Sequence, residues 1–281
     1  MTSESEPRLR SIAMGPARID LLRKLPSQHK YDHGHALVMS GSAGRTGAAR
    51  LAARAALRIG AGLVTIGVPS EALGEVAAQV TAVMVRVAEP LEDVLADRRI
   101  NALCIGPGYG PGAACRAAVA QCLTAERAVV LDADALTSFA DDPEALFAMT
   151  RGRAVVMTPH GGEFRRLFPD LSGDAAGVAE AAARAGCVVL LKGDCTMVGR
   201  DGVVARHNAD GRRAAPWLAT AGSGDVLAGL ITGLLARGLD AAEAAECAVW
   251  LHAEAARCFG PGLIAEDLAE EIPAVFRTLG V

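Results

Sequence analysis

The sequence has no block of basic residues and few lysines. Its formal net charge is −4, its isoelectric point is near 5.9, and only three of its 28 basic residues are lysine, at positions 24, 30 and 192. A protein that binds nucleic acid through its phosphates needs a concentrated basic surface. The charge balance therefore argues against a nucleic-acid partner.

Other signals are also absent. The seven cysteines form no C-x-x-C pair, are odd in number and lie partly in apolar segments, which predicts reduced core residues. The N-terminus lacks the apolar core of a signal peptide. The longest apolar candidate, 226–236, is too short to cross a bilayer. We therefore expect a cytoplasmic protein that makes no membrane contact.

With 281 residues, 51% of them hydrophobic, the chain can bury a large core. Residues 1–28 are polar and contain three prolines, so we expect an irregular arm or short helices there. Residues 29–281 show no linker, repeat or low-complexity tract, which predicts a single domain. After residue 220 the pattern is helical to the end.

Short β-type runs alternate with alanine-rich helical runs from His35 onward. The predicted strands are Ala36–Met39, Gly62–Gly67, Ala102–Ile105, Ala128–Leu131, Ala154–Met157, Val188–Leu191, Thr196–Gly199 and Val203–Arg206. The predicted helices include Thr46–Gly60, Gly112–Thr124, Asp134–Phe139, Gly162–Phe168 and Asp174–Ala185. Such alternation predicts an α/β fold with a mostly parallel sheet covered on both sides. The last two strands lie too close for a crossover helix, and Arg200–Gly202 between them predicts a hairpin.

Glycine-rich or polar clusters follow five of the predicted strands. They are Gly41–Gly47, Gly106–Gly110, Asp132–Asp134, Thr158–His160 and Lys192–Asp194. Ligands of parallel α/β sheets bind beyond the carboxyl ends of the strands. Five clusters on one edge therefore predict a ligand cleft, although the aspartates at 132 and 134 can also serve local loop bonding.

The segment Ala219–Gly229 is the most informative part of the sequence. Its glycines precede an apolar helical stretch, so backbone N–H groups at the helix start can converge on a phosphoryl group. Gly222, Ser223 and Gly224 would form this anion hole. Asp225 stands among these donors, where a carboxylate suits a general base for a hydroxyl that attacks phosphorus. A simple helix cap is the alternative role for Asp225. No Walker A sequence occurs.

Two further residues have alternative roles. Lys192 stands at a strand end in a chain that otherwise uses arginine, which favours a compact ammonium near phosphate over an incidental surface lysine. His160 follows Pro159 between a strand and a helix, where it can donate to a ligand or cap the helix.

These motifs together resemble the NAD(P)H-hydrate dehydratase family. The resemblance covers residues 28–275 and rests on Gly41–Ala48, Gly60–Thr65, Gly106–Gly110, Leu131–Leu136, Thr158–Glu163, Leu191–Gly193 with Thr196, and Leu218–Gly229. It implies a ribokinase-like three-layer αβα sandwich. It also implies repair of hydrated NADH and NADPH (NADHX and NADPHX) at the expense of ADP or ATP, with Mg²⁺ as cofactor and a homo-oligomer, a tetramer, as the assembly.

The family pattern also implies roles for individual residues. Asp225 would be the catalytic base. Ala48, Gly110, His160 and Asp225 would contact the hydrate, while Lys192, Gly193, Asp194, Cys195, Thr196 and Gly224 would contact the nucleotide. The metal ligands stay unknown.

The chain departs from the family pattern in two places. Lys30–Gly34 differs at two positions from the usual Lys-Gly-Asp-[FY]-Gly, and the stretch 208–217 is longer and more basic than the usual N-x-x-G-x-P. The resemblance therefore does not fix the shape of the loop on the nucleotide side. With about 28 residues before the match, we expect no epimerase activity.

Two other functions stay open at the level of sequence. One is a ribokinase-like kinase that phosphorylates a vitamin precursor or a sugar and releases a stable product. The other is a nucleotide-binding protein without turnover. The sequence does not decide between ADP and ATP, or between NADHX and NADPHX.

Overall fold

A computed structural model describes residues 6–208 and 214–281. Its ten strands form one sheet in the order β1-β10-β9-β8-β7-β6-β5-β2-β3-β4. They are β1 Arg8–Ser11, β2 His35–Met39, β3 Leu63–Val68, β4 Met84–Val87, β5 Ala102–Ile105, β6 Ala128–Leu131, β7 Val155–Met157, β8 Val188–Leu191, β9 Cys195–Arg200 and β10 Val203–Asn208. Only β9 pairs antiparallel with its neighbours, β8 and β10. The predicted hairpin and mostly parallel sheet are confirmed.

Twelve α-helices are present in the described part of the chain. They are α1 Pro16–Leu22, α2 Gly47–Arg58, α3 Leu73–Ala77, α4 Leu91–Leu95, α5 Ala113–Thr124, α6 Asp134–Thr137, α7 Pro143–Thr150, α8 Gly161–Leu167, α9 Ala175–Ala185, α10 Ser223–Ala236, α11 Ala241–Phe259 and α12 Ala265–Leu279. None of these helices is both long enough and apolar enough to span a bilayer.

The helices cover the sheet on both faces. Alternate residues of β5 show this: Ala102 and Cys104 belong to a core with α2, α10, α11 and α12. Leu103 and Ile105 belong to a second core with α5, α7, α8 and α9. Side chains of a strand point alternately to opposite faces, so a strand buried on both faces reads as a continuous apolar run. The three-layer αβα sandwich is therefore confirmed.

The structure adds elements that the sequence pattern did not predict. The N-terminal arm, expected to be irregular or helical, contributes β1, which pairs parallel with β10, in addition to helix α1. The edge strand β4 and the short helices α3, α4 and α7 were also missed. Edge strands are half exposed and polar, as the arginines in β1 and β4 illustrate. They therefore lack the apolar run that marks a buried strand.

Helix α10, which begins at the candidate anion hole, lies unusually close to α2. A Cβ added at Gly229 would lie 2.1 Å from the carbonyl oxygen of Ala52, and one at Gly233 would lie 2.3 Å from Cγ2 of Ile59. Only glycine allows the two backbones to approach this closely. Every residue of α10 from Val226 to Ala236 is buried, so packing fixes where the helix begins.

Candidate active site

The five clusters that follow strands lie side by side. Strands β8, β7, β6, β5 and β2 are consecutive and parallel in the sheet, so their carboxyl ends share one edge. The clusters after β7 and β8 also touch directly: His160 and Lys192 form a β-bridge, and the Lys192 amide donates to the Pro159 carbonyl at 2.9 Å. This edge is the candidate active site.

The start of α10 has the geometry of the predicted anion hole, formed by Gly222, Ser223 and Gly224; we call it the anion turn. Gly222 has a φ of +87°, and a Cβ there would lie 2.7 Å from Cδ1 of Leu51 and 2.9 Å from Cβ of Ala265. The Ser223 hydroxyl donates to the Leu218 carbonyl at 2.8 Å. Within the described residues no side chain caps α10. Asp225, the third residue of the helix, is therefore not its cap, and the first N–H groups stay available to an anion.

Asp225 is held at an elevated pKa. Burial raises its pKa from the ordinary 3.8 to about 6, and the charges of Asp132 and Asp134 add to the rise, whereas Lys192 opposes it. Above pH 6 the side chain is an ionised carboxylate of raised basicity. A pKa close to the working pH is the property that a general base requires.

Lys192 links the strand ends to the start of α10. Its Nζ donates to Oδ1 of Asp132 at 2.6 Å, and the Thr158 hydroxyl donates to the same oxygen at 2.8 Å. Nζ also lies 3.4 Å from the position that a Cβ of Gly224 would occupy. Burial opposes its charge, but Asp132, Glu163 and Asp225 outweigh that effect and raise the pKa of Lys192. Lys192 thus brings a permanent positive charge to the anion turn.

His160 caps helix α8. Its Nδ1 accepts from the amide of Gly162 at 2.8 Å and from that of Glu163 at 3.3 Å, while the Glu163 carboxylate accepts from the His160 amide at 2.8 Å. Of the two roles considered for His160, capping is therefore present. The ring is about half exposed. Since Nδ1 accepts, Nε2 carries the hydrogen, and it lies 3.4 Å from Oε1 of Glu163.

The loops after β2 and β5 form the other wall of the cleft. A Cβ at Gly41 would lie 2.0 Å from the Gly108 carbonyl oxygen, and one at Gly108 would lie 3.3 Å from Cβ of Ala48. The amide of Gly110 donates to Oδ2 of Asp134 at 2.8 Å. Ala48, in the first turn of α2, and Gly110, on the loop after β5, therefore lie on two segments in direct contact.

The predicted nucleotide contacts 192–196 form the turn between β8 and β9. Gly193 and Asp194 are exposed at its tip, and Cys195 and Thr196 open β9. The Thr196 hydroxyl donates to the Gly193 carbonyl at 3.1 Å, which shapes the turn. Residues 209–213, the centre of the stretch that departs from the family pattern, lie outside the described residues.

The sequence did not predict which groups the carboxylates of Asp132 and Glu163 contact. Asp132 is buried as the partner of Lys192 and Thr158, and Ala133 beside it has a φ of +45°, a conformation rare for alanine. Glu163, also buried, completes the cap with His160. Burial raises the pKa of Glu163, while the His160 amide and Lys192 oppose the rise. Position at the end of an apolar strand was the only available signal for Asp132.

No all-protein magnesium site is present in the described part of the chain. Across residues 6–208 and 214–281, no group of three or more His, Cys, Asp or Glu side chains is arranged to hold a metal ion. Mg²⁺ is usually held by substrate phosphates with one or two carboxylates.

The chain is similar to known proteins over most of its length. The family model described as NAD(P)H-hydrate dehydratase matches residues 36–273. The ADP-dependent (S)-NAD(P)H-hydrate dehydratase of Neisseria meningitidis is 38% identical over 262 residues, which is 89% of this chain and 86% of that protein. The bifunctional NAD(P)H-hydrate repair enzyme of Moorella thermoacetica is 37% identical over 93% of this chain. The chain spans about half the length of such bifunctional relatives, 53% in this case.

Solved structures show the same relationship. An ADP/ATP-dependent NAD(P)H-hydrate dehydratase from Bacillus subtilis, co-crystallised with ATP and Mg²⁺, has a TM-score of 0.76 and 29% identity, and covers 92% of this chain and 94% of its own. A ribokinase-like superfamily protein of Enterococcus faecalis has a TM-score of 0.80 at 22% identity over 97% of this chain and 96% of its own, which confirms the ribokinase-like fold. The chain belongs to the NAD(P)H-hydrate dehydratase family.

Proposed function

We propose that this protein dehydrates NADHX and NADPHX to NADH and NADPH, using ADP or ATP as phosphoryl donor. The observation that carries the proposal is the placement of Asp225. Its carboxylate, with a pKa of about 6, lies at an uncapped glycine-rich helix start beside the ammonium of Lys192. This arrangement supports both proton removal from a hydroxyl and stabilisation of a transferred phosphoryl group.

The chemistry requires two steps because hydroxide is a poor leaving group. Asp225 takes the proton of the C6 hydroxyl while the hydroxyl oxygen bonds to the terminal phosphorus of the nucleotide. The bond between that phosphorus and the rest of the nucleotide breaks. The lone pair of the ring nitrogen then expels phosphate from C6, and loss of a proton from C5 restores the dihydronicotinamide. Backbone amides of Gly222, Ser223 and Gly224 would stabilise the charge on the transferred group.

The two substrates are assigned to opposite sides of Asp225. On the nucleotide side we propose Lys192, Gly193, Asp194, Cys195, Thr196 and Gly224, which is supported by the short distance between Lys192 and Gly224. On the hydrate side we propose Ala48, Gly110, His160 and Asp225. The half-exposed side chain of His160 and the contact between Ala48 and the loop of Gly108 and Gly110 support this assignment.

Cofactor, assembly and location are part of the same proposal. Mg²⁺ would bind the nucleotide phosphates and neutralise charge during phosphoryl transfer. The relative from Bacillus subtilis, which was co-crystallised with ATP and Mg²⁺, supports this proposal. The family resemblance supports a homotetramer. The seven cysteines form no disulfide in the described structure and five of them are buried, which supports a reducing cytoplasmic environment.

The experiment is to incubate the purified protein with NADHX, Mg²⁺ and either ADP or ATP, and to follow the absorbance of restored NADH. Asp225→Asn is the control, and its turnover should fall by about 10²–10⁴-fold because an amide cannot accept the proton. Pyridoxine, hydroxymethylpyrimidine and simple sugars should be poor substrates. A stable phosphorylated product from one of these alcohols, with NADHX untouched, would make the protein a kinase instead. Nucleotide binding without any turnover would make it a binding protein.

A further inference from the structure

Glu75 bonds to the loop that leads into α2, the helix whose second residue is the proposed hydrate contact Ala48. Glu75 lies on the short helix α3, which follows β3. One carboxylate oxygen accepts from the backbone amide of Gly44 at 2.7 Å, and the other accepts from the hydroxyl of Thr46. These two bonds lower the pKa of Glu75. The carboxylate is therefore charged, and both bonds are present, at neutral pH.

The bond with Thr46 replaces a local one. Thr46 occupies the position before α2, where a threonine hydroxyl normally accepts from an amide of the first helical turn. In the described structure its side chain makes no such cap. The hydroxyl of Thr46, which is fully buried, donates instead to the carboxylate of Glu75, 29 positions further along the chain. A contact outside the loop therefore sets the conformation of Gly41–Gly47.

Arg45 lies between Gly44 and Thr46, the two residues that bond to Glu75, and its side chain reaches Asp134 on the other side of the cleft. Its guanidinium lies 3.5 Å from Oδ2 of Asp134, the oxygen that also accepts from the amide of Gly110 at 2.8 Å. A Cβ added at Gly110 would lie 3.3 Å from the Arg45 guanidinium. Movement of the Gly41–Gly47 loop would therefore disturb Gly110.

The Gly41–Gly47 loop also contacts Gly108, in the segment before Gly110. A Cβ at Gly41 would lie 2.0 Å from the Gly108 carbonyl oxygen, and one at Gly108 would lie 2.8 Å from the Arg45 carbonyl oxygen and 3.3 Å from Cβ of Ala48. The positions of Ala48 and Gly110, both proposed hydrate contacts, thus depend on the Gly41–Gly47 loop. The turn 192–196 belongs to β8 and β9, on the other side of the cleft.

We propose that Glu75 is a positioning residue for the hydrate side of the active site. This rests on the proposed function, because the hydrate contacts are assigned there. Glu75 touches no substrate; it fixes the loop that adjoins the hydrate contacts Ala48 and Gly110. Loss of its two bonds should raise KM for the hydrate by about 10- to 140-fold, the range expected for a hydrogen bond to a charged group. The Kd of the nucleotide should stay unchanged.

The test compares Glu75→Ala and Thr46→Val with two controls. Thr46→Ser keeps the hydroxyl and should restore the hydrate KM. Glu71→Ala removes an exposed carboxylate from the turn just before α3 and should leave every parameter unchanged. Hydrate KM and kcat are measured by NADH formation, ADP Kd by calorimetry, and stability by Tm.

The inference predicts a raised hydrate KM in Glu75→Ala and Thr46→Val, with unchanged ADP Kd. A lowered Tm with an unchanged hydrate KM would mean that Glu75 has only a structural role. A parallel rise of ADP Kd would mean that the whole site has loosened. Either result overturns the inference. If the wild-type protein shows no turnover, the proposed function fails, and calorimetric binding of NADHX to wild type and Glu75→Ala still tests Glu75.

Discussion

The charge state of Asp225 depends on its neighbours. Burial raises its pKa most, the carboxylates of Asp132 and Asp134 raise it further, and the ammonium of Lys192 lowers it. Asp132 is itself bonded to Lys192 at 2.6 Å. The pair Asp132–Lys192 thus places a cation near Asp225 and adjusts the basicity of the proposed base.

The pH dependence of turnover follows from this balance. Because the base must be ionised, kcat/KM should fall as the pH drops below about 6. Lys192→Ala removes the charge that lowers the pKa of Asp225, so the acidic limb should move to higher pH. The same variant should weaken ADP or ATP binding more than hydrate binding. Lys30→Ala, which removes an exposed lysine, is the matched control.

Rate profiles and calorimetric titrations check this prediction. An acidic limb that stays in place in Lys192→Ala, or an unchanged nucleotide affinity, would remove Lys192 from the site.

A second residue-scale prediction concerns stability. The folded chain raises the pKa of Asp225 from 3.8 to about 6, so folding favours the protonated form. Stability is then lost as the pH rises through this window, by about 3 kcal/mol at neutral pH. Asp225→Asn should remove the cost and raise Tm at neutral pH, and the difference should vanish below pH 3.8. A lower Tm for the variant at neutral pH would mean that the carboxylate makes a stabilising bond.

At the scale of elements, the contact between α10 and α2 holds the anion turn in place. Gly229→Ala would push a methyl group into the Ala52 backbone, 2.1 Å from its carbonyl oxygen. Overpacking of this kind costs about 1–3 kcal/mol. The expected result is a lower free energy of unfolding together with weaker turnover, since the helix start shifts.

Gly74→Ala is the matched control, because a Cβ there meets nothing within 4 Å. It should be neutral or stabilising by up to about 1 kcal/mol, as alanine favours a helix. Urea titrations of both variants decide the matter. Equal stability of the two would show that α10 and α2 can separate without cost.

The elements also show what a sequence pattern can and cannot predict. Strands β5, β6 and β8 are buried on both faces, so their apolar runs predicted them with correct bounds. Strand β1 carries two arginines because it lies at the edge. Its pairing with β10 joins residues far apart in sequence. Long-range pairing of polar segments leaves no local signal.

The same limit applies to the candidate site. A glycine-rich helix start with Asp225 could be predicted from the sequence because an anion-binding helix start needs a local motif. The bond of Glu75 to Thr46 and the pairing of Lys192 with Asp132 depend on side chains brought together from different elements. No spacing in the sequence records such contacts.

At the scale of the whole molecule, the arm is anchored to the body of the fold. Arg10 of β1 and Arg18 of α1 both pair with Glu246 of α11, whose side chain is almost fully buried. The arm therefore extends the sheet beyond β10, and β1 lies three strands away from β8. All substrate chemistry in our account lies at the carboxyl ends of β2 and β5–β8.

In the proposed reaction, phosphorylation of the C6 hydroxyl of the hydrate serves to eliminate that oxygen as phosphate. The most direct test measures inorganic phosphate and NADH together during turnover of NADHX with ADP or ATP. We predict equal amounts of both products and no phosphorylated dinucleotide, because the ring nitrogen drives the phosphate out. Accumulation of a phosphorylated dinucleotide, or phosphate release without NADH, would contradict the account.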